Sequence, residues 1–175
     1  TSTCWRRAAN HRSGEGGMRI LAVLGEGGHT KEMVRLVELL GEGYEFGYVL
    51  VADDDLSEKK ITVPGPVFRV IRPRDKAHNL PNDVRKFLMC AWQAWRAVRQ
   101  FRPRAMISTG PSVAVPVALV CKLAGVKVIF VETGSRVTAL STTGRIMYRL
   151  ADLFLVQWEP LAAKYPKAVY AGRLC

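Results

Sequence analysis

Three short loops hold the residues of this sequence that are best suited to chemistry. Each follows an apolar run of strand length, and they read Gly25-Glu-Gly-Gly-His29, Ser108-Thr-Gly-Pro-Ser112 and Glu132-Thr-Gly-Ser-Arg136. In an open parallel sheet, ligands bind just outside the carboxyl ends of the strands. We therefore expect these loops to lie where such a sheet would bind a ligand.

The first loop has the character of an anion-binding turn. Glycines at a strand-to-helix turn let backbone N–H groups approach an anion, and the helix N-terminus adds a favourable dipole. The loop is neither G-x-G-x-x-G nor a P-loop with its Lys-Ser pair. Phosphate binding is one interpretation, and a tight turn that needs a positive φ is the other. His29 would accept a proton, donate to phosphate, or cap the helix as a structural residue.

The second and third loops offer polar groups to the same kind of ligand. Small side chains around Thr109 and Gly110 can hydrogen-bond a diphosphate or a sugar, although an ordinary helix N-cap followed by proline explains them equally well. Glu132 is placed to bind sugar hydroxyls or to act as a base, and Arg136 to bind phosphate. A structural ion pair is the alternative for both residues.

The acidic run Asp53-Asp54-Asp55 is the one motif that suggests a metal or a dinucleotide. It would hold a divalent ion on a UDP diphosphate or the ribose of a dinucleotide. Both uses need companion motifs that this sequence lacks, so we interpret the run as a solvated acidic loop. We expect neither a metal site nor a cofactor.

The pattern of apolar runs predicts the elements that position these loops. Seven strands are expected at 19–24, 44–51, 67–71, 104–108, 127–131, 152–156 and 168–171, and helices at 29–40, 82–101, after Pro111 to about 124, 141–150 and 160–164. Short apolar strands that alternate with helices indicate βαβ units. The fold class is therefore α/β, a Rossmann-like parallel sheet with helices on both faces.

Length and composition indicate one domain with a basic surface. The chain has 175 residues, 49% of them hydrophobic, and a net charge of +11. We expect residues 1–17 to be a disordered or non-native leader and residues 18–175 to form a single domain. Scattered cysteines at 4, 90, 121 and 175 favour buried free thiols and a reducing compartment. No apolar run is long enough to span a membrane.

The positive charge favours a polyanionic partner, and the helix at 82–101 is the candidate contact surface. Trp92 and Trp95 are accompanied by Arg96 and Arg99. An interfacial helix would place tryptophan at headgroup depth and cations on anionic lipid; a core-facing aromatic stripe is the alternative. A basic nucleic-acid-binding domain also fits the charge, but no nucleic-acid motif is recognisable, so no such partner is expected.

An ordered set of motifs along the chain resembles a known family. The set comprises Gly25-x-Gly-Gly-His-Thr-x-Glu-Met33, Ser108-Thr-Gly-Pro111, Val131-Glu-Thr-x-Ser-Arg136, Leu140-Ser-x-Thr-Gly144, Val156-Gln-Trp158 and Gly172-Arg-Leu174. It is similar to the non-catalytic subunit of the split UDP-N-acetylglucosamine transferase of lipid-linked oligosaccharide synthesis, and to bacterial exopolysaccharide-biosynthesis counterparts. The resemblance implies the N-terminal half of a GT-B glycosyltransferase.

That resemblance also implies a function and partners. The subunit would bind a polyprenyl-diphosphate-linked sugar and recruit a donor-side catalytic subunit, which brings the UDP-sugar, to the cytoplasmic face of a membrane. That would be the inner membrane in a bacterium or the endoplasmic reticulum in a eukaryote. The transferred sugar would be GlcNAc or another hexose, and the chain alone would be inactive. A non-catalytic membrane scaffold is the alternative. Eukaryotic members begin with a membrane-spanning anchor; the lack of one here favours a bacterial origin.

The site residues follow from the three loops and the resemblance together. The acceptor diphosphate and sugar would be bound by Gly27, Gly28, Thr30, Thr109, Gly110, Ser135 and Arg136. Glu132, in preference to His29, would accept the proton in an inverting reaction. Two departures from the family pattern are Glu26, where a small hydroxyl residue is common, and Ser112, which replaces a frequent glycine.

Overall fold

A sheet of seven parallel strands forms the centre of the molecule. The structure is a computed structural model, and it describes residues 17–25, 27–73 and 80–174. The strands are β1 (Met18–Val23), β2 (Tyr44–Val51), β3 (Val67–Val70), β4 (Ala105–Ser108), β5 (Lys127–Val131), β6 (Leu153–Val156) and β7 (Ala168–Tyr170). Their order is β3-β2-β1-β4-β5-β6-β7, and each neighbouring pair is parallel. The predicted fold class is confirmed. The predicted leader, apart from Gly17, lies outside the described residues.

Six helices accompany the sheet in the described residues. They are α1 (Gly28–Leu40), α2 (Asp55–Glu58), α3 (Leu80–Phe101), α4 (Ala114–Leu123), α5 (Thr142–Leu150) and α6 (Glu159–Lys164). All except α2 were expected from the helical spacing, with ends that differ by about two residues. None of the helices described has both the length and the apolar character that crossing a bilayer requires.

Helix α2 replaces the solvated acidic loop that the sequence suggested. The carboxylate of Asp54 is buried and accepts a hydrogen bond from the backbone N–H of Ser57 at 3.0 Å, which caps the helix. Asp53 instead pairs with Arg72 at 3.3 Å, and Asp55 with Arg69 at 2.9 Å. The three carboxylates therefore serve three separate structural contacts.

Alternating side chains of each strand divide the core between the two faces of the sheet. Leu21 and Val23 of β1 point to a cluster shared with α3, α4, α5 and α6. Ile20 and Ala22 point to a second cluster, which is covered mainly by α1 and by Leu174 near the end of the chain. Burial on both faces explains why the strands read as continuous apolar runs.

The strand order creates a crevice between β1 and β4. The chain moves outward from β1 to β2 and β3, then returns to place β4 on the opposite side of β1. Connections leave in opposite directions at this switch point, so the loops after β1 and β4 diverge and leave room for a ligand. These are two of the three loops that the sequence pointed to.

Helix α3 buries a different stripe from the one that its aromatic residues suggested. Its buried positions are Cys90, Ala94, Ala97, Val98 and Phe101. Trp92 is 59% exposed and Trp95 39% exposed, and Val84, Leu88 and Met89 are also exposed. The alternative of a core-facing aromatic stripe is therefore wrong for Trp92 and Trp95. Phe101, by contrast, is buried, and its ring packs against Phe68 of β3.

The two cysteines of the described part of the chain are buried free thiols, as expected. They are Cys90 in α3 and Cys121 in α4. Burial disfavours the thiolate and raises the pKa of each thiol to about 12. Neither thiol is therefore suited to nucleophilic chemistry.

Candidate functional site

A polar cavity of about 490 Å³ opens at the carboxyl ends of the central strands. Its walls come from the loops after β1, β4 and β5, the ends of β2 and β3, and the start of α5. The lining residues are Gly25, His29, Val51, Arg72, Gly110, Pro111, Ser112, Val113, Thr133, Ser135, Arg136, Ser141, Thr142 and Thr143. All three loops predicted from the sequence therefore contribute to one cavity.

His29 is held in a defined orientation by the loop after β4. Its Nδ1 lies 2.7 Å from the carbonyl oxygen of Thr109, while the Thr109 hydroxyl donates to the carbonyl of His29 at 2.8 Å. A carbonyl oxygen only accepts, so Nδ1 must carry the proton in this contact. In a neutral ring, Nε2 is then left as an acceptor, which is the form needed to take a proton from a ligand.

Gly110 lies directly against the His29 ring. Its φ of +109° is in the region that disfavours side chains, and a Cβ built there would lie 3.0 Å from Cε1 of His29. A residue other than glycine would push the ring away or distort the loop. Thr109 is fully buried and its hydroxyl is used by His29, so its contribution is to orient the histidine.

Other predicted ligand residues of the first loop lie outside the lining of the cavity. Thr30 is fully buried; its hydroxyl donates to the carbonyl of Gly25 and lies 2.7 Å from the hydroxyl of Ser57. We therefore correct its role from ligand binding to shaping the loop. Gly27 and Gly28 are exposed at the start of α1. Glu26 is not among the described residues.

Glu132 is fully buried and does not line the cavity. Its Oε2 accepts hydrogen bonds from the backbone N–H and the hydroxyl of Ser141, each at 3.2 Å, and Oε1 accepts from the N–H of Thr133 at 3.3 Å. Burial raises its pKa, against the opposing effects of these hydrogen bonds and the charge of Arg136. The expectation of direct contact with substrate is corrected: Glu132 reaches the cavity only through Ser141.

The raised pKa of Glu132 makes stability depend on pH. The folded protein holds the proton more tightly than the unfolded chain does, so this contribution is complete below the ordinary pKa of 4.5 and is lost as pH rises through the folded value. We expect Glu132→Gln to gain melting temperature relative to the parent protein as pH rises from 4 to 8. Thermal unfolding across that range measures the gain. Exposed Glu38→Gln is the control, and a pH-independent difference for Glu132→Gln would contradict the burial argument.

The cationic side of the cavity is formed by two arginines. Arg136 is exposed beside Ser135 in the loop after β5, as predicted, whereas Arg72 follows β3 and was not identified from the sequence. Its position directly after an apolar run was the available signal. Arg72 also contacts Asp53 at 3.3 Å. Two guanidinium groups on one polar cavity favour a ligand that carries phosphate.

Comparison with known proteins places the chain among oligosaccharide biosynthesis proteins. The family model described as "Oligosaccharide biosynthesis protein Alg14 like" matches residues 20–174. A human protein named UDP-N-acetylglucosamine transferase subunit ALG14 is 33% identical over 179 residues, covering 90% of this chain and 83% of its own length. The Schizosaccharomyces pombe protein of that name is 32% identical, with 87% and 81% covered.

Solved structures share the fold at low identity. MurG of Acinetobacter baumannii superposes with a TM-score of 0.65 at 19% identity, covering 81% of this chain and 41% of MurG. The Neisseria meningitidis UDP-GlcNAc 2-epimerase, solved bound to UDP-GlcNAc, gives 0.62 at 12% identity, with 87% and 46% covered. The chain thus spans less than half of each structure and has the fold of one half of a GT-B enzyme. Together with the family match, these comparisons establish that the chain belongs to the Alg14-like family of oligosaccharide biosynthesis proteins.

Proposed function

We propose that this chain is the acceptor-binding subunit of a two-part glycosyltransferase. The complex would transfer GlcNAc from UDP-GlcNAc to a sugar carried on a polyprenyl diphosphate, with the UDP-sugar bound by a separate donor-side catalytic subunit. The observation that supports this proposal most directly is the cavity at the β1–β4 switch point, whose lining includes His29, Arg72 and Arg136. Membership of a family whose members are named transferase subunits supports the same conclusion.

The diphosphate of the acceptor is assigned to the cationic side of the cavity. Arg136 and Arg72 supply charge, Ser135 supplies a hydroxyl, and Gly110 leaves room for the ring of His29 beside them. In the described part of the chain, no side chain caps the N-terminus of α1 and its first turn holds no acidic residue. That turn reaches the cavity through His29, and its N–H groups are therefore suited to an anion.

Proton transfer is assigned to His29 in preference to Glu132. His29 lines the cavity with Nδ1 fixed on the Thr109 carbonyl. As the acceptor hydroxyl oxygen bonds to the anomeric carbon, Nε2 takes the hydroxyl proton, and the bond to UDP breaks on the opposite face, with inversion. Glu132 stabilises the start of α5 through Ser141 and has no surface from which to reach the substrate directly.

Helix α3 is assigned as the membrane contact. Trp92 and Trp95 are exposed, the guanidinium of Arg96 lies 5.0 Å from the centre of the Trp92 ring, and Arg99 is exposed one turn further on. This combination of apolar surface and cations suits the cytoplasmic face of a membrane with anionic lipid. The protein would lie on that face, and its partner would be recruited there.

Replacing both tryptophans by glutamate is expected to weaken vesicle binding at least about tenfold, since each buried aromatic contributes on the order of 1.5–3 kcal/mol. Co-sedimentation with vesicles that contain phosphatidylglycerol measures the loss. Val169→Glu is the matched control, because Val169 is 48% exposed on β7, at the edge of the sheet opposite the strands that α3 contacts. Unchanged binding of Trp92→Glu/Trp95→Glu would remove α3 from the membrane contact.

The proposed function as a whole is tested by purification from gently solubilised native membranes. We expect a donor-binding α/β subunit to be recovered with the chain, and the eluate to transfer GlcNAc from UDP-GlcNAc to a polyprenyl-diphosphate-linked sugar. The pure chain should give no product. Turnover by the chain alone, or a recovered complex that makes no lipid-linked product, would reject the proposal.

A further inference from the structure

Glu32 is a buried carboxylate to which the proposed function assigns no role. It lies in α1 and is 8% exposed. Its Oε1 accepts hydrogen bonds from the N–H of Gly134 at 2.8 Å, the hydroxyl of Thr133 at 3.2 Å and Nε2 of Gln157 at 3.4 Å. The side chain of Glu32 therefore links α1 to the loop after β5 and to Gln157, which follows β6.

The same loop is held from its other side by Trp158. The indole N–H donates to the carbonyl of Gly134 at 2.7 Å, and the guanidinium of Arg173 lies 4.7 Å from the centre of the indole ring. Both backbone groups of Gly134 are thus bound by side chains from separate elements. A Cβ at this position would lie 3.2 Å from Oε1 of Glu32 and Oε1 of Gln157, so a side chain here would make these two oxygens shift by a few tenths of an ångström.

Gly134 sits between the residues that face the cavity. Thr133 precedes it, Ser135 and Arg136 follow it, and all three line the cavity. Fixing the two peptide units that flank the Cα of Gly134 limits the directions in which the next two residues can project. We propose that Glu32 and Trp158 are positioning residues, which hold Gly134 so that Ser135 and Arg136 meet the acceptor diphosphate. This inference rests on the proposed function of the cavity.

Charge gives Glu32 an advantage over a neutral acceptor. Hydrogen bonds to a carboxylate are roughly twice as strong as those between neutral groups, and here three donors converge on one oxygen. Glu32→Gln keeps an acceptor oxygen and the side-chain size but removes the charge. Trp158→Phe keeps an aromatic ring for Arg173 and removes only the donor to Gly134.

The test measures initial rates of the assembled complex against the polyprenyl-diphosphate acceptor. Each variant is expected to raise the KM for the acceptor about tenfold, with little change in kcat or in the KM for UDP-GlcNAc. Trp158→Phe removes one hydrogen bond, and Glu32→Gln weakens three by removing the charge of their acceptor. Because the effect acts through Arg136, it should largely disappear in an Arg136→Ala background. Glu38→Gln, an exposed carboxylate on α1, is the matched control and should behave as the parent.

Hydrogen exchange of the peptide that spans residues 132–137 supplies a readout that does not depend on activity. We expect faster exchange there in Trp158→Phe, with unchanged global unfolding. Unchanged exchange, or a KM effect that persists in full without Arg136, would overturn the positioning role. A parent complex that makes no product would reject the proposed function instead, while exchange would still decide whether Trp158 holds the loop.

Discussion

Replacing His29 by asparagine is expected to lower kcat of the assembled transferase by about 10²- to 10⁴-fold, the range that a general base contributes. The asparagine amide can take the place of Nδ1 and still donate to the Thr109 carbonyl, whose distance from the histidine nitrogen is 2.7 Å. What the variant lacks is Nε2, the acceptor for the proton of the attacking hydroxyl. Turnover at saturating acceptor and UDP-GlcNAc is the measurement.

Recovery of the donor-side subunit with the His29→Asn chain separates catalysis from recruitment. Normal recovery with lost turnover is expected, and it would exclude a protein that serves only as a membrane scaffold. Turnover within a few-fold of the parent would show that another group takes the proton. Glu132→Gln, measured in parallel, should retain more activity than His29→Asn, since Glu132 is separated from the cavity by Ser141.

Replacing Gly144 by alanine is expected to destabilise the protein by about 3 kcal/mol or more. A Cβ at this position would lie 1.7 Å from Oε2 of Glu132. The carboxylate would have to leave the hydrogen bonds it accepts from Ser141, in a place where water cannot replace them. The direction is informative because Gly144 lies in the first turn of α5, and alanine is in general a better helix former than glycine. Urea unfolding of the purified chain measures the change.

A second substitution shows whether the clash with Glu132 is the cause. Shortening the side chain in Glu132→Ala removes the atoms that the new methyl group meets. In that background, Gly144→Ala should become neutral or stabilising, so the two substitutions are strongly coupled. Free energies of unfolding that simply add would mean that Gly144 matters for a different reason.

The sequence predicted the sheet and five of the six described helices because the local signals agreed with the final packing. Strands buried on both faces read as apolar runs, and helices ended near Gly41 and Gly125, as expected for C-terminal glycines. Helix α2 was missed because four residues carry no measurable period. Its start depends on the Asp54 cap, which looked like part of a solvated run.

The sequence left two interpretations of α3 open for a different reason. The spacing of Trp92 and Trp95 fitted either a core face or an interfacial one, whereas the buried residues of the helix include Cys90, Ala94 and Phe101. The helical period shows that α3 has an apolar face and a polar face. It does not show whether the apolar face packs on the sheet or lies at the surface.

The candidate site was predictable at the level of loops and less so at the level of single side chains. Glycine loops at strand ends marked the cavity correctly. Whether Thr30 and Glu132 face a ligand or the interior depends on Ser57 and Ser141, which belong to other elements. The contact between Glu32 and Gly134 joins residues 102 positions apart, so no local pattern contains it.

The exposed face of α3 has a consequence for how the protein would find its acceptor. A helix of 22 residues is about 33 Å long, and an element of that length lying flat on a bilayer restricts tilting as well as departure. With α3 as the proposed membrane contact, the search for the acceptor would be confined to two dimensions, and the mouth of the cavity would stay at a fixed height above the headgroups. The fraction of cavities that hold an acceptor would then depend on the number of acceptor molecules per unit area of membrane rather than on their amount per cell volume. Diluting the acceptor with inert lipid should therefore slow the enzyme even when total acceptor is constant.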